Sequence, residues 1–319
     1  MFRKKILTII TVVIFFIPSQ LYAADKIFTS SGEINEGDFW TFIEIYNDGT
    51  VVDMYGGGAD FIYTYDGSTL NVMGGTADVG ALDYSTINIT GGNIGAAYAW
   101  DNGTVNFYGS SSTKGLGASY SGRINMFSGT VESIGVGGMS ITNLYGGQIT
   151  DCLGAGQSSV VNVHGYGFDY NPSGGSYDGG QITGFWLDNV PFTIDLYGVA
   201  TYAHINFIEG VLVDIGIHPR IVNLASNRNW LSARIELVSD CNAADVNSAS
   251  VALEHQVPAD WIWFNENQNV VMARFPFSDV KKILKPGEAE LVVSGYFEDG
   301  TYFEGSDTIK VIQKAEKGD

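Results

Sequence analysis

The chain has little cysteine, little positive charge and no local catalytic signature. Its 319 residues include only two cysteines, Cys152 and Cys241, too few for a disulfide scaffold. They fall in different expected domains, so two buried free thiols are the expectation and a bond between them the alternative. Lys and Arg together number 16 against 35 Asp and Glu, a formal net charge of −19. Such a chain repels nucleic acid and anionic lipid headgroups, and suits a salty or divalent-rich exterior. The four histidines, His164, His204, His218 and His255, show no HExxH spacing, and GxSxG, P-loop and CxxC motifs are absent. Beyond the first residues, no apolar run is long enough to cross a bilayer.

The single apolar run lies at the start. Arg3, Lys4 and Lys5 precede apolar residues 6–16, and residues 18–23 are mostly small or polar. This is the layout of a secretory signal peptide, with cleavage expected after Ala23, or else after Ala24; an uncleaved anchor is the alternative. Removing residues 1–23 takes away three positive charges and no negative ones, leaving −22. Between Val51 and Gly198 the only cations are Lys114 and Arg123.

What is abundant is glycine, 41 residues, recurring at fixed offsets from a short repeat. Asn or Asp anchors stand at Asp53, Asn71, Asn88, Asn106, Asn125, Asn143, Asn162 and Asp195, mostly 17 to 19 residues apart. The last interval, 33 residues, holds an insertion at 166–190. On either side of the anchors, fifteen of sixteen flanking residues are apolar, Thr142 being the exception. Strand side chains alternate between faces, so these neighbours point inward and the anchor points outward. Gly, or Ser128 in one copy, follows three residues after the anchor and turns a corner. A weaker second strand follows each corner. A fixed short period of strands and glycine corners predicts a parallel β-solenoid of about 18 residues per coil. Right-handedness is expected from strand twist. The nonapeptide calcium roll is excluded, because no copy carries its required Asp. Stacked Asn71, Asn88, Asn106, Asn125, Asn143 and Asn162 are expected to form a structural ladder, each amide bonded to the next coil. Residues 24–48 read as a cap or a first irregular coil.

From about residue 219 the period vanishes. Strands are expected at 231–238, 250–254, 270–275, 289–297 and 302–312, with an Asp-Gly hairpin at 298–301. They predict a small β-sandwich over 219–315, followed by a tail at 316–319.

The run from Gly295 through Phe297, Asp299, Gly300, Phe303, Gly305 and Asp307 to Ile309 resembles the end of an immunoglobulin-like module. His164-Gly-Tyr-Gly-Phe-Asp-Tyr-Asn-Pro, with Leu187-Asp and Pro191-Phe-Thr-Ile-Asp-Leu, is similar to the final coil of short-repeat solenoid proteins. Together they resemble secreted bacterial, planctomycete-type surface proteins. The resemblance implies a surface or secreted location in a Gram-negative-type bacterium, the periplasm included. Many such proteins end in a sorting helix with an arginine cluster, which Lys314 to Asp319 do not contain, so anchoring stays open.

Two features point to binding. Two residues after each anchor lie Tyr55, Met73, Thr90, Tyr108, Phe127, Tyr145, His164 and Tyr197, an outward row that offers rings to sugars. Within this row, Tyr55, Tyr108, Phe127, Tyr145, His164 and Tyr197 are the candidate ligand face. The insertion adds Tyr166, Phe168, Asp169, Tyr170 and Trp186 as candidate contacts, and Asp169, Asp178 and Asp188 as oxygen donors for calcium. Mutual stacking and solvation are the competing readings of these residues. No metal, cofactor or catalytic residue is otherwise assigned. An enzyme would be a polysaccharide lyase or hydrolase, with Lys114 and Arg123 as cations or Asp151, Asp169, Asp178 and Asp188 as acids. The favoured reading is a secreted, non-catalytic structural or adhesin-type protein that meets extracellular polysaccharide or other surface proteins; the alternative is a polysaccharide-degrading enzyme of the parallel β-helix type.

Overall fold

A computed structural model describes residues 25–109, 111–238 and 241–313. The expected signal peptide and terminal tail lie outside the described residues. The protein is nearly all β, with parallel coils of about 19 residues stacked into a β-solenoid of about 7 turns. It divides into two compact units. Among the described residues, the first comprises those within 25–162, 170–182 and 193–206, and the second those within 163–169, 183–192 and 207–313.

Each coil of the first unit contributes one long and one short strand. The short strands, such as Thr86–Ile89, Thr104–Phe107 and Arg123–Met126, hold four residues and pair in parallel without register shifts. All sixteen neighbours of the anchors are buried: Thr142 is fully enclosed and Phe107 is among the largest enclosed side chains. The long strands, such as Asn93–Ala99 and Ser112–Ala118, form a second, eight-stranded parallel sheet. Their alternation breaks in mid-strand. Gly95 and Ala96, Lys114 and Gly115, and Glu132 and Ser133 are successive residues that leave the core together. The strand Thr76–Ala81 has one residue fewer, and the register shifts on both sides of it. That deletion accounts for the 17-residue interval between Asn71 and Asn88.

Residues 25–48 form regular strands rather than an irregular cap. Lys26–Phe28 pairs with Phe39–Ile45, and Gly32–Ile34 with Val51–Met54, in the same parallel ladders as the later coils.

The Asn ladder runs as expected for six coils, with one correction at its end. Nδ2 of Asn71 donates to Asp53 at 2.8 Å, and Asn88, Asn106, Asn125, Asn143 and Asn162 each donate to the preceding Asn at 2.7–2.9 Å. Donation always runs toward the N-terminus, so the first member needs only to accept, which explains why Asp53 is a carboxylate. Beyond Asn162 the next donor is Asn206, at 3.1 Å, not Asp195. Asp195 instead accepts from Gln181 Nε2 and from the Ser176 backbone N–H, both at 2.7 Å.

The second unit contains a four-stranded antiparallel sheet in the order Asp214–His218, Trp230–Glu236, Val270–Pro276, Trp261–Asn265. A second sheet is dominated by the hairpin of Gly287–Tyr296 with Tyr302–Ile312. Leu231, Ala233 and Ile235 from the first sheet share a core with Val293, Phe303 and Ile309 from the second. Ile221–Asn223 adds in parallel to Tyr302–Ile312, and one helix spans Phe277–Ile283. Of the expected strands, residues 250–254 keep only Ala252–Leu253, because Ser248–Ser250 forms a 3-10 turn capped by Asn247. Cys152, buried, and Cys241, half-buried, are not bonded to each other.

Candidate functional site

The expected aromatic row is real, but only partly presented to solvent. Tyr108, Phe127 and Tyr145 stack at 4.7 and 4.9 Å between centroids, with planes within 11°. Tyr108 is 7% exposed and His164 only 4%, so neither offers a face to a ligand. Coil spacing brings rings on adjacent coils into contact with each other, and that contact consumes their faces. Tyr55 is exposed at the start of the row. Tyr197 is also exposed but lies outside the row, because Leu196 pairs with Leu153 and the Tyr197 N–H donates to the Leu153 carbonyl, on the long-strand sheet.

The insertion also turns its aromatics inward. Trp186 is 3% exposed and packs on Phe192 at 4.1 Å, and Phe168 meets Phe207 at 4.7 Å. Tyr170 stacks on Tyr202 at 3.7 Å, and Tyr166 on Phe185 at 5.4 Å. Of the expected insertion contacts only Asp169 is exposed; Tyr166, Phe168 and Tyr170 are half-buried and Trp186 is buried. The proposed calcium acids do not assemble. Asp178 accepts from Gly198 N and Asp188 from Val190 N, both at 2.9 Å. Among the described residues no group of three or more His, Cys, Asp or Glu gathers in a metal-binding arrangement.

The exposed rings lie on the other sheet. Phe42, Tyr46, Phe61, Tyr63, Tyr65, Tyr98 and Trp100 form one continuous cluster on the outer face of the long strands. The backbone register explains how they fit: Tyr63, Gly80, Tyr98 and Gly117 are successive neighbours across four strands. A Cβ on Gly80 would lie 2.6 Å from the Tyr63 ring, and one on Gly117 2.6 Å from Tyr98. Each tyrosine therefore lies flat over the glycine of the next coil instead of standing on a side chain. Phe61 and Tyr98 remain exposed at the edge of the cluster. Burial raises the pKa values of Tyr63, Tyr65 and Tyr98, and burial together with Glu44 pushes Tyr46 to about 12. Their hydroxyls stay protonated, able to donate and accept hydrogen bonds.

Phe61 also lines a groove of about 680 Å³ that runs across the same sheet. Its walls carry an uncharged polar row of Thr76, Asn93, Ser112 and Thr130, and a charged row of Asp60, Asp78, Lys114 and Glu132. In the seven-residue strands the mid-strand break turns an extra residue outward, as at Lys114 and Glu132, whereas Asp78 joins the row from the shorter strand Thr76–Ala81 by ordinary alternation. Asp78 is held in place by a 2.9 Å bond from Ala96 N. A Cβ at Gly95 would lie 2.1 Å from its carboxylate. Burial raises the Asp78 pKa, the Ala96 bond and Lys114 oppose this, and Asp60 adds to it. Of the expected enzymatic cations, Lys114 lies in the groove and Arg123 on the short-strand sheet. Asp151 stands apart from the groove lining, accepting from Tyr177 O–H at 2.6 Å and Ser133 Oγ at 3.3 Å. Burial pushes the adjacent Cys152 thiol up to about 11, leaving it unreactive.

A buried polar cluster in the second unit has catalytic residue types without catalytic access. Ser294 Oγ lies 2.9 Å from His255 Nδ1, His255 Nε2 is 3.4 Å from Glu304, and Tyr302 O–H donates to Glu304. Ser294 is 4% exposed, so no acyl group reaches it. Burial raises Glu304 and Glu254 to about 7, and lowers His255 to about 3 and His164 to about 4. A raised carboxyl stabilises the fold fully below its ordinary value of 4.5, and this contribution is lost as pH rises through about 7. The depressed histidines act oppositely, losing their contribution as pH falls below 6.5. Glu304→Gln keeps an acceptor for Tyr302 and removes one ionisation. Urea unfolding from pH 4.5 to 8 should therefore show the variant gaining about 2 kcal/mol relative to wild type as pH rises. A constant difference across that range would exclude a role for Glu304 in the pH profile.

No family model, curated protein or solved structure matches the chain.

Proposed function

We propose that this is a secreted, non-catalytic polysaccharide-binding protein whose ligand lies along the long-strand sheet of the solenoid. The carrying observation is the continuity of the seven-ring cluster with the polar groove through Phe61. Aromatic faces suit the C–H faces of sugar rings, while threonine, asparagine and carboxylate side chains suit their hydroxyls. Asp60, Asp78 and Glu132 against Lys114 leave the groove acidic, which disfavours uronates and favours neutral chains. A rigid stack of coils presents these groups at regular steps, as a repetitive adhesin or matrix protein requires. Export follows from the basic and apolar layout of residues 1–23. The second unit fits an immunoglobulin-like sandwich in having two sheets over one core, with the Phe277–Ile283 helix as an addition.

Affinity electrophoresis through gels containing neutral glucans, xylans or mannans tests this reading. At least one should retard the protein, and the double variant Phe61→Ala/Tyr98→Ala should weaken retardation about tenfold, or ~1.4 kcal/mol. Absence of retardation across the neutral panel would overturn the assignment. A hydrolase is the second reading, favoured by Asp60 and Asp78 sharing one groove and by the raised pKa of Asp78. Release of reducing ends by wild type but not by Asp78→Asn would establish it instead.

A further inference from the structure

The second unit carries a surface of opposite character. On the four-stranded sheet, inward residues alternate with an outer face that includes Trp230, Trp261 and Trp263, which are 38%, 42% and 48% exposed. Exposed indoles grouped on one face are uncommon on a protein surface and mark binding sites. The strand register places Arg274 directly opposite Trp261, and Met272 opposite Trp263, with Arg234 beyond Met272. The Arg274 guanidinium carbon lies 4.5 Å from the Trp261 ring centre, a cation–π contact that ties it to the indole. Arg234 is paired with Glu236 on its own strand, whereas Arg274 forms no ion pair among the described residues. In a chain with 35 acids and 16 bases, Arg274 is, among the described residues, an exposed cation without an ion pair.

We propose that this face binds a polyuronate, a polysaccharide with a carboxylate on each sugar. Trp261 and Trp263 lie two residues apart on one strand face, about 7 Å by strand rise, so two rings bear on one extended chain. The indoles supply flat apolar contact, and the free edge of the Arg274 guanidinium supplies a fork matched to a carboxylate. The face is a sheet surface with rings standing on it, suited to a linear polymer. The proposal is independent of the neutral-glycan reading of the solenoid, since one surface selects neutral chains and the other anionic ones.

The test compares polygalacturonate with its fully methyl-esterified form, which keeps the backbone and removes the charge. With the full chain, polygalacturonate should quench tryptophan fluorescence and retard migration, and the ester should bind at least tenfold more weakly. Affinity should fall as salt rises. Trp261→Ala/Trp263→Ala should abolish binding, Arg274→Gln should weaken it about tenfold, and Arg274→Lys should restore only part of it. Phe61→Ala/Tyr98→Ala, on the solenoid, should leave it unchanged. Melting curves matching wild type show that the variants are folded, as expected for exposed positions. Equal binding of acid and ester, equal binding of poly-glutamate, or no binding would each overturn the proposal. So would sensitivity to the solenoid variant alone.

Discussion

Gly122→Ala should unfold or open the middle of the solenoid, at a cost of about 3–5 kcal/mol. Gly122 begins the approach to a short strand and is buried. A Cβ there would lie 2.1 Å from the Ala99 carbonyl oxygen and 2.5 Å from its carbon, both backbone atoms of the preceding coil. No rotamer relieves a backbone collision, so the two coils must part. That carbonyl accepts from Ser119 N at 3.1 Å, and Gly122 O accepts from Ile141 N at 3.1 Å in the next coil. Separation of the coils weakens both. Overpacking costs about 1–3 kcal/mol and a lost buried backbone bond about 1–3 more, so the sum is large for one methyl group. Gly156→Ala is the control, because nothing lies within 4 Å of its Cβ and its φ is not positive. Thermal melting and limited proteolysis should show early loss of the solenoid for Gly122→Ala and near wild-type behaviour for Gly156→Ala. A melting temperature within about 2 °C of wild type for Gly122→Ala would show that the coils have slack the packing does not reveal.

The parts of the fold legible in the sequence are those where one residue type satisfies one coil after another. The inward pair flanking each anchor must be apolar in every coil, and the anchor must both donate and accept, so the pattern repeats. Asn206 escaped because it stands 44 residues after Asn162 and lacks the glycine corner, although Ile205 and Phe207 keep the inward pair. Asp195 satisfied the same local pattern, yet its partners are Gln181 and Ser176. Local pattern cannot distinguish these cases, because ladder membership is set by which strand lies next door.

The aromatic cluster was missed for a related reason. Its rings occupy long strands whose alternation is broken, and they skip a coil wherever glycine replaces them. A signal was present: Tyr63 and Tyr65 precede Tyr98 and Trp100 by 35 residues, two coils, with Gly80 between. A search at twice the period finds the ring–glycine–ring alternation that single-period reading discards. The Trp261–Asn265 strand was missed because a run of four apolar residues shows no inside and outside, although two of its tryptophans face solvent. Where a binding face replaces polar residues with rings, the alternation that announces a strand disappears.

Asn106→Asp should convert the ladder into a pH-dependent element. Asn106 donates to Asn88 Oδ1 at 2.8 Å and accepts from Asn125 Nδ2 at 2.8 Å. An ionised Asp still accepts from Asn125 but meets Asn88 oxygen with oxygen, and the exposed Arg123, on the same face of the next strand, screens the half-buried charge only in part. Asp53 tolerates its carboxylate because no preceding Asn requires a donor. At pH 7 the variant should therefore lose about 2–4 kcal/mol, from the lost donor and the partly buried charge. Protonation restores an O–H that can donate to Asn88, so the folded state raises the pKa of this group above its unfolded value. The resulting stability is present below the unfolded pKa, near 3.9, and is lost as pH rises through the folded one. The difference from wild type should accordingly shrink by about half between pH 7 and pH 4, whereas Asn106→Leu, which cannot titrate, should show a constant deficit. Equal pH profiles for the two variants would mean that the Asp side chain leaves the ladder for solvent and that directional donation does not set the sequence of the repeat.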